Sequence, residues 1–430
     1  MTRRIALRLL ARLNHGRMVI IEPDGQRHDL GPADAALRVN IEVRDKRFWP
    51  AMRRGGLGAA EAYGEGWFEC DELVALVQIF ALELRDVDHL RRALIPFQRI
   101  GRLVPRNTRR AARKHIAAHY DLGDQLFELF LDETMSYSSA VFEPAGISLA
   151  EAQREKIDRI CRKLELGPAD HLVEIGSGWG SLAVHAAERY GCRVTTTTIS
   201  EAQHAATLAR VREHGLEGKV QVLMEDYRDL EGTYSKLVSV EMMEAVGWQY
   251  FGAFFEKCSS LLEPDGRMCL QAIVIDDRAY EPDKAAKSFA NTVIFPGGCL
   301  PSHAVIARSI ARRTDMRILD LEDLSPHYAE TVRRWREGFA ANAERAEALG
   351  YDLRFRRMWD LYLAWCEGGF VERRIGVAQI LTAKPAYRDQ PSDGGRFARL
   401  KPFAVRASST KAGPREASLA RAVRPPGPTM

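Results

Sequence analysis

Several features that define whole classes of protein are missing from this 430-residue sequence. Its seven cysteines are scattered and none forms a C-x-x-C pair, which argues against a secreted disulfide framework or a zinc finger and favours a reducing, cytoplasmic compartment. The N-terminus lacks the long apolar core and the cleavage site of a signal peptide. No apolar run reaches the roughly 18 residues that a membrane-spanning helix needs. The longest candidate, residues 73–84, is interrupted by Gln78 and Glu83 and is predicted to be a buried helix. We therefore expect a soluble or peripheral protein.

Charge is distributed unevenly along the chain. Lys and Arg number 62 against 58 Asp and Glu, but residues 388–430 alone hold nine basic and three acidic residues. Pro, Gly, Ser and Arg dominate that segment, so we predict a basic, disordered tail over 388–430. A second basic stretch, residues 99–116, contains no acidic residue and is predicted to be a connector. No aromatic residues are interleaved with its charges, so a nucleic-acid partner is not expected.

The first helical segment has two interpretations. Arg4, Arg8 and Arg12 recur at helical spacing, with Ile5 and Leu9 beside them. Such a basic amphipathic helix suits a membrane surface. The alternative, which we favour, is a first helix docked on the fold.

The hydrophobic pattern predicts two structured regions. Residues 1–98 alternate as strands and then turn helical, which indicates a small α+β domain. Residues 117–387 contain seven apolar strand-like runs separated mostly by amphipathic helices, which is typical of an α/β fold with a largely parallel, doubly wound sheet. The runs cover 171–175, 193–198, 220–224, 237–241, 268–274, 317–321 and 375–381.

A glycine-rich loop follows the first of these strands. The segment 172–181 reads L-V-E-I-G-S-G-W-G-S, with Glu174 two residues before Gly176 and with Gly178 next in the G-x-G-x-G pattern. Such glycines let the backbone approach a ligand at the carboxyl edge of the sheet. The spacing differs from the dinucleotide G-x-G-x-x-G, and the second strand does not end in an acidic residue. With Asp226 and Tyr227 after the third strand, the pattern favours S-adenosylmethionine.

Five segments together resemble the cyclopropane-fatty-acyl-phospholipid synthase family. They are H-Y-D-L-G at 119–123, M-S-Y-S-S-A at 135–140, the Glu174 loop, E-M-M-E-A-V-G at 241–247 and I-F-P-G-G-C-L-P at 294–301. The resemblance spans about residues 15 to 385 and implies a seven-stranded methyltransferase (Rossmann-like) sheet behind the small N-terminal domain. It implies transfer of a methylene from S-adenosylmethionine across the cis double bond of an unsaturated phospholipid acyl chain.

The resemblance also implies a catalytic centre without a metal ion. In that family a bicarbonate ion serves as the base, held by backbone amides and polar side chains. The positions matching that centre here are Glu244, Tyr328, Gln271, Ser139 and Ile273. Two of them depart from the family pattern: many members have cysteine at Ser139 and histidine at Gln271. We expect both replacements to be tolerated, because a backbone amide and a glutamine amide still donate hydrogen bonds.

The resemblance places the cofactor between several loops. The positions that would contact S-adenosylmethionine are Tyr137, Ser138, Glu174, Gly176, Gly178, Thr198, Gln203, Asp226 and Tyr227. The expected partner is membrane phospholipid, reached by peripheral contact with the inner face of the membrane, and a homodimer is compatible with the resemblance. Two alternatives stay open. A related fatty-acyl methyltransferase would leave a methyl branch or a methylene, and a non-catalytic lipid-binding protein would retain the fold without binding the cofactor.

Overall fold

The computed structural model of the protein describes residues 2–93, 123–284 and 286–388. The predicted connector at 99–116, the 119–123 motif up to residue 122, and the tail from residue 389 onward lie outside the described residues. The described residues up to Tyr387 belong to one compact unit. All seven cysteines are free thiols.

The N-terminal part combines short strands with helices. Its elements are α1 (Thr2–Leu10), β1 (Gly16–Ile21), β2 (Arg27–Leu30), β3 (Leu37–Val43), α2 (Phe48–Ala51), α3 (Gly56–Gly64), β4 (Phe68–Cys70) and α4 (Leu73–Ala93). A 3-10 turn over Met52–Arg54 joins α2 to α3. The four strands form one sheet in the order β2-β1-β3-β4, in which β1 and β3 are parallel and the outer pairs are antiparallel.

The larger part alternates strands and helices, as its hydrophobic pattern predicts. Its elements are α5 (Asp124–Phe127), α6 (Leu149–Leu164), β5 (His171–Ile175), α7 (Ser181–Arg189), β6 (Arg193–Thr198), α8 (Glu201–Glu213), β7 (Val220–Met224), β8 (Tyr234–Val240), α9 (Phe251–Ser260), β9 (Leu262–Ile275), α10 (Asp277–Asp283), α11 (His303–Arg313), β10 (Arg317–Asp323), α12 (Ser325–Ala341), α13 (Ala343–Ala348), α14 (Leu353–Val371) and β11 (Ile375–Ala383). Single 3-10 turns cover Met243–Ala245 and Trp248–Tyr250, and a π-helical turn covers Ala290–Ile294.

The seven predicted strands form one sheet in the order β10-β11-β9-β8-β5-β6-β7. Strands β7, β6, β5, β8 and β9 run parallel, and β11 pairs antiparallel with both β9 and β10. The order reverses at β5, which lies between β6 and β8. In open sheets of this kind ligands bind outside the carboxyl ends of the strands at such a reversal. The α/β fold class is confirmed.

Successive side chains of each strand point to opposite faces of the sheet, and helices cover both faces. On β5, Leu172 belongs to one buried cluster and Val173 to the other, and on β8 Val238 and Leu237 divide in the same way. Both faces therefore bury apolar surface, as a doubly wound sheet requires.

The small N-terminal sheet is joined to the larger part through α14. Ala364 of that helix is completely buried in the core of the small sheet. Gly368 permits a close approach, since a Cβ atom there would lie 2.9 Å from side-chain atoms of Val77 in α4. Arg357 reaches the same region and donates to Glu69 Oε1 at 2.8 Å. This contact places α4 and the small sheet next to the larger part.

Helix α1 docks on the small sheet, as the favoured interpretation expects. Ala6, Leu7 and Leu10 pack against its core. The opposite face of α1 stays exposed, with Ile5 at 49% and Leu9 at 63% accessibility. No helix within the described ranges is long and apolar enough to cross a bilayer.

Candidate active site

The glycine-rich loop leaves the carboxyl end of β5 at the reversal of the sheet. Gly176 and Gly178 adopt φ angles of +98° and +51°, a region that disfavours residues with a side chain. The backbone amides of Gly176 and Ser177 both donate to the carbonyl of Thr197 at 3.0 Å, which ties the loop to β6. A Cβ atom on Gly178 would point into open space. The loop thus presents bare backbone to the adjoining cavity.

A cavity of about 1020 Å³ adjoins this loop. Ligand pockets commonly measure about 300–1,000 Å³, so this one is large enough for more than one ligand. Most of the predicted site residues line it: Tyr137, Ser138, Glu174, Gly176, Gly178, Thr198, Gln203, Asp226, Tyr227, Glu244, Ile273 and Tyr328. The other two, Ser139 and Gln271, are completely buried behind its wall.

Polar contacts fix the segment 137–138 at one side of the cavity. The hydroxyl of Tyr137 lies 3.0 Å from that of Tyr362. Lys156 Nζ donates to Ser138 Oγ at 2.7 Å, and Gln153 Nε2 donates to the carbonyl of Ser138 at 2.8 Å. Burial lowers the pKa of Lys156 to about 8. Lys156 was not among the site residues predicted from the sequence.

The carboxylate of Glu174 lies beneath the glycine loop. It accepts a hydrogen bond from Thr196 Oγ1 at 2.6 Å. Burial raises its pKa to about 8, against which the Thr196 hydrogen bond and the charge of Lys156 act. Glu174 therefore faces the cavity beside the loop, where its carboxyl group can form further hydrogen bonds.

The ends of β6 and β7 contribute the remaining predicted cofactor residues. Thr198 Oγ1 donates to Gln203 Oε1 at 3.0 Å. The carboxylate of Asp226 binds the guanidinium of Arg228 through two hydrogen bonds of 2.8 and 2.6 Å. Tyr227 packs edge-on against Phe254, with ring centroids 5.5 Å apart. Polar and aromatic groups thus meet at the edge of the sheet beside the glycine loop.

Three hydrogen-bond donors converge on Glu241 at the end of β8. The backbone N–H of Ser139 donates to Glu241 Oε1 at 2.9 Å, and Gln271 Nε2 donates to the same oxygen at 2.8 Å. The hydroxyl of Tyr328 donates to Oε2 at 2.6 Å. Gln271 is itself oriented by Gln379 Nε2, which donates to its Oε1 at 3.0 Å. The carboxylate of Glu241 lines the cavity.

Glu244 lies one turn further along the chain and has fewer partners. Its Oε1 accepts from the backbone N–H of Ile273 at 2.5 Å. Its Oε2 is buried and has no hydrogen-bond partner among the residues that the structure describes. Burial, together with repulsion from Glu241, raises the pKa of Glu244 to about 8. Glu244 is therefore largely protonated near neutral pH, whereas the three donors to Glu241 favour the ionised form of that side chain.

The predicted bicarbonate site does not fit this arrangement. Three of the groups expected to hold the ion, from Ser139, Gln271 and Tyr328, are engaged by the carboxylate of Glu241. From the sequence, Glu244 was predicted to be the carboxyl group of the catalytic centre, and Glu241 was placed within the strand. In the structure β8 ends at Val240, and Glu241 follows it in a left-handed conformation. The sequence signal for both carboxyl groups was the pair of acidic residues, Glu241 and Glu244, at the end of an apolar strand.

Comparisons with known proteins agree with this geometry. The sequence model of the mycolic acid cyclopropane synthetase family matches residues 107–380. The chain belongs to this family. It is 38% identical over 338 residues to a tuberculostearic acid methyltransferase of Mycobacterium tuberculosis, covering 76% of this chain and 78% of that protein. It is 35% identical over 360 residues to the cyclopropane-fatty-acyl-phospholipid synthase of Escherichia coli K12, covering 82% and 89%.

Solved structures of this cyclopropane synthetase family share the fold. A mycolic acid cyclopropane synthase in complex with SAH and CTAB superposes with a TM-score of 0.59 at 32% identity, covering 63% of this chain and 98% of that one. As a member of the family, the protein is an S-adenosylmethionine-dependent methyltransferase that binds this cofactor.

Proposed function

We propose that the protein is a cyclopropane-fatty-acyl-phospholipid synthase, which delivers a methylene to the cis double bond of an unsaturated phospholipid acyl chain and closes a three-membered ring. One observation carries the proposal: the glycine loop and a pair of buried carboxyl groups, Glu241 and Glu244, line the same large cavity. Methyl delivery and proton removal must occur side by side in this reaction, and the cavity brings the groups for both together.

S-adenosylmethionine, when bound, supplies a sulfonium methyl group as the electrophile. Gly176 and Gly178 offer backbone to its methionine end, together with Tyr137 and Ser138. Among the described residues, Glu174 beneath the loop accepts a hydrogen bond only from Thr196, so its second oxygen is available to the cofactor. Thr198 and Gln203 lie near the ribose, and Asp226 and Tyr227 near the adenine.

An apolar wall next to this site suits a fatty acyl chain. The cavity is lined by Phe289, Phe295, Leu300 and Phe370 on the side of the carboxyl pair. An alkene is a weak nucleophile, so its rate of attack depends on being held in line with the methyl carbon. Apolar side chains also keep water away from the cation that forms on the acyl chain. The wall therefore serves both positioning and protection.

The same cavity reaches the exposed part of the N-terminal region. Leu9 of α1 and Phe80 and Leu84 of α4 line it, and all three are among the exposed large apolar side chains. An acyl chain drawn from a bilayer meets apolar surface from this opening onward. This continuity supports a lipid that enters from a membrane rather than a small soluble substrate.

The exposed face of α1 supports peripheral contact with the inner face of the cytoplasmic membrane. Arg4 and Arg8 are exposed on α1 next to Ile5 and Leu9, and Arg12 is exposed just after the helix. Apolar side chains can enter the headgroup region while each cation gains about 1 kcal/mol from anionic lipid. The opening of the cavity near Leu9 would then face the bilayer. A homodimer stays a separate prediction that sedimentation velocity can test.

The proposal is tested by incubating the purified protein with S-adenosylmethionine and vesicles of cis-unsaturated phosphatidylglycerol, then identifying the acyl products by mass spectrometry and NMR. The proposal predicts cyclopropane protons and no remaining double bond in the modified chains. A methyl-branched or methylene product would instead establish the related fatty-acyl methyltransferase. Binding of the cofactor without any lipid product would overturn both.

A further inference from the structure

The carboxylate of Glu241 occupies a position built for an anion. One backbone N–H, one amide and one phenol donate to its two oxygens at 2.6 to 2.9 Å. Those donors come from three distant parts of the chain, residues 139, 271 and 328. Hydrogen bonds to the charged form of a carboxyl group stabilise that form. The arrangement thus holds an ionised carboxylate at the wall of the cavity.

The backbone of Glu241 adopts an unfavourable conformation to reach this position. Its φ angle is +50°, which residues other than glycine rarely adopt. Such a conformation is energetically costly for a residue with a side chain and tends to persist at functional sites. The backbone N–H of Glu241 donates to the carbonyl of Gln271 at 2.8 Å, which pins the turn to β9. The left-handed turn and the three hydrogen bonds together fix the direction of this carboxylate.

Neighbouring groups separate the roles of the two carboxyl groups. Burial raises the pKa of Glu241, and hydrogen bonds from Tyr328, Gln271 and Ser139 with the charge of Lys156 oppose that rise. Glu244 lacks these donors, and burial with repulsion from Glu241 raises its pKa to about 8. The pKa values of both carboxyl groups are therefore raised, but only Glu241 has three hydrogen-bond donors that stabilise its ionised form.

We propose that Glu241 is the catalytic base, so that a carboxylate built into the chain takes the place of the bicarbonate expected from the family. This inference rests on the proposed function. The alkene π electrons bond to the transferred methyl carbon as its bond to sulfur breaks, and sulfur keeps that electron pair. Glu241 then accepts one proton from the transferred carbon, and the released C–H electron pair closes the ring. Glu241 ends as a carboxylic acid and returns its proton to solvent before the next turnover.

A free bicarbonate ion has no equivalent place in this arrangement. It would need the donors of Ser139, Gln271 and Tyr328, all of which Glu241 engages, and it would meet the negative charge of that side chain. We therefore expect ring formation by the wild-type protein in buffer stripped of carbon dioxide to equal that in buffer with added bicarbonate. A requirement for bicarbonate would overturn the assignment of Glu241.

Two substitutions at the same position separate the base from its scaffold. Glu241→Gln keeps the shape but cannot accept the proton, and we expect about 10²- to 10⁴-fold slower ring formation. Glu241→Gly relieves the strained φ angle and should fold, while it frees the three donors. Ring formation by Glu241→Gly should be lost without bicarbonate and restored when bicarbonate is added. Glu165→Gly, another glutamate with positive φ at the end of α6, is the matched control and should remain active.

Readouts other than activity complete the test. Calorimetry should show S-adenosylmethionine binding by the wild-type protein and by both Glu241 variants. Carbon-13 NMR with labelled bicarbonate should show a bound ion in Glu241→Gly and none in the wild type. If the wild type forms ring and Glu241→Gln forms it as fast, Glu241 is not the base but the proposed function stands. If the wild type forms no lipid product, the proposed function fails and the role of Glu241 fails with it.

Discussion

The hydroxyl of Tyr328 donates to Glu241 Oε2 at 2.6 Å, while the ring of Tyr328 stacks on Phe370 with centroids 4.2 Å apart. The two contacts are independent, because one uses the oxygen and the other uses the face of the ring. Removing the hydroxyl should therefore leave the ring in place and alter only the carboxylate that it orients.

Tyr328→Phe should slow ring formation about tenfold near neutral pH, since a hydrogen bond to a charged group contributes about 1.5–3 kcal/mol. That bond lowers the pKa of Glu241, so its loss should move the acidic limb of the pH–rate profile to higher pH. Part of the lost rate should thus return in alkaline buffer. The measurement is kcat/KM against pH. The control is Tyr190→Phe, which removes a hydroxyl group that donates to Asp158 outside the cavity. An unchanged profile for Tyr328→Phe would contradict the assignment.

Lys156→Met should weaken cofactor binding and shift the same limb. Lys156 Nζ donates to Ser138 Oγ, and its charge lowers the pKa values of Glu241 and Glu174. Without that charge both carboxyl groups protonate at higher pH, so the acidic limb moves upward and the KM for S-adenosylmethionine rises. Replacing a buried ammonium by methionine is compatible with folding.

Lys163→Met on the same helix α6 serves as the control for Lys156→Met, because Lys163 pairs with Asp320 and Glu322 away from the cavity. Steady-state kinetics over pH 5 to 9 give both the KM for S-adenosylmethionine and the pH–rate profile. A KM and a profile equal to those of the wild type would show that Lys156 has no influence on the site.

Glu244→Gln should change how stability depends on pH. The carboxyl of Glu244 ionises near 4.5 when unfolded and near 8 when folded, so the folded state binds the extra proton between these values. Its contribution to stability is therefore lost as pH rises from about 4.5 to 8. Glutamine is neutral throughout, so the variant should lose less stability over that range, although Glu174 retains a similar dependence.

Urea unfolding at pH 6 and pH 9 measures this difference in the free energy of unfolding. The Glu244→Gln variant should show a smaller decrease between the two values than the wild type. Glu217→Gln, an exposed glutamate in the loop after α8, should match the wild type. Equal decreases for all three proteins would indicate that Glu244 is ionised in the folded state.

The double variant Arg4→Glu/Arg8→Glu should bind anionic vesicles more weakly. It reverses two exposed charges on α1 next to Ile5 and Leu9. The charge-matched control Arg193→Glu/Arg212→Glu changes exposed residues within β6 and α8. Sedimentation with phosphatidylglycerol vesicles at low and high salt measures binding, and salt should weaken the wild type most. Equal binding by both double variants would exclude α1 as the membrane contact.

The periodicity of the sequence predicted the sheet closely, because most of its strands are short, apolar and followed by a helix or a turn. Strands β5, β6 and β7 begin and end at the predicted residues. The predicted β8 and β9 begin later than the observed strands. For β9 the reason is that Pro264, Asp265 and Gly266 resemble a turn. Pairing with β8 and β11 extends the strand through them, which a local pattern cannot reveal.

The candidate site was predicted less completely than the fold. Glycines after a strand identified the cofactor loop without any alignment, because few other structures need that pattern. The choice between Glu241 and Glu244 depended on a left-handed turn and on a backbone amide 102 positions away in the sequence. Such a contact forms only when β8, β9 and the segment around Ser139 come together. Lys156 was missed for the same reason, since it lies in an ordinary amphipathic helix.

The fate of the methyl hydrogens reports on ring closure and on proton removal by Glu241. The wild-type protein is given S-adenosylmethionine with a trideuterated methyl group and vesicles of cis-unsaturated phospholipid in buffer free of carbon dioxide. The account predicts a cyclopropane that carries two deuterium atoms per modified chain, with the third removed by Glu241. A chain that keeps all three deuterium atoms, or labelled ring that forms only after bicarbonate is added, would contradict it.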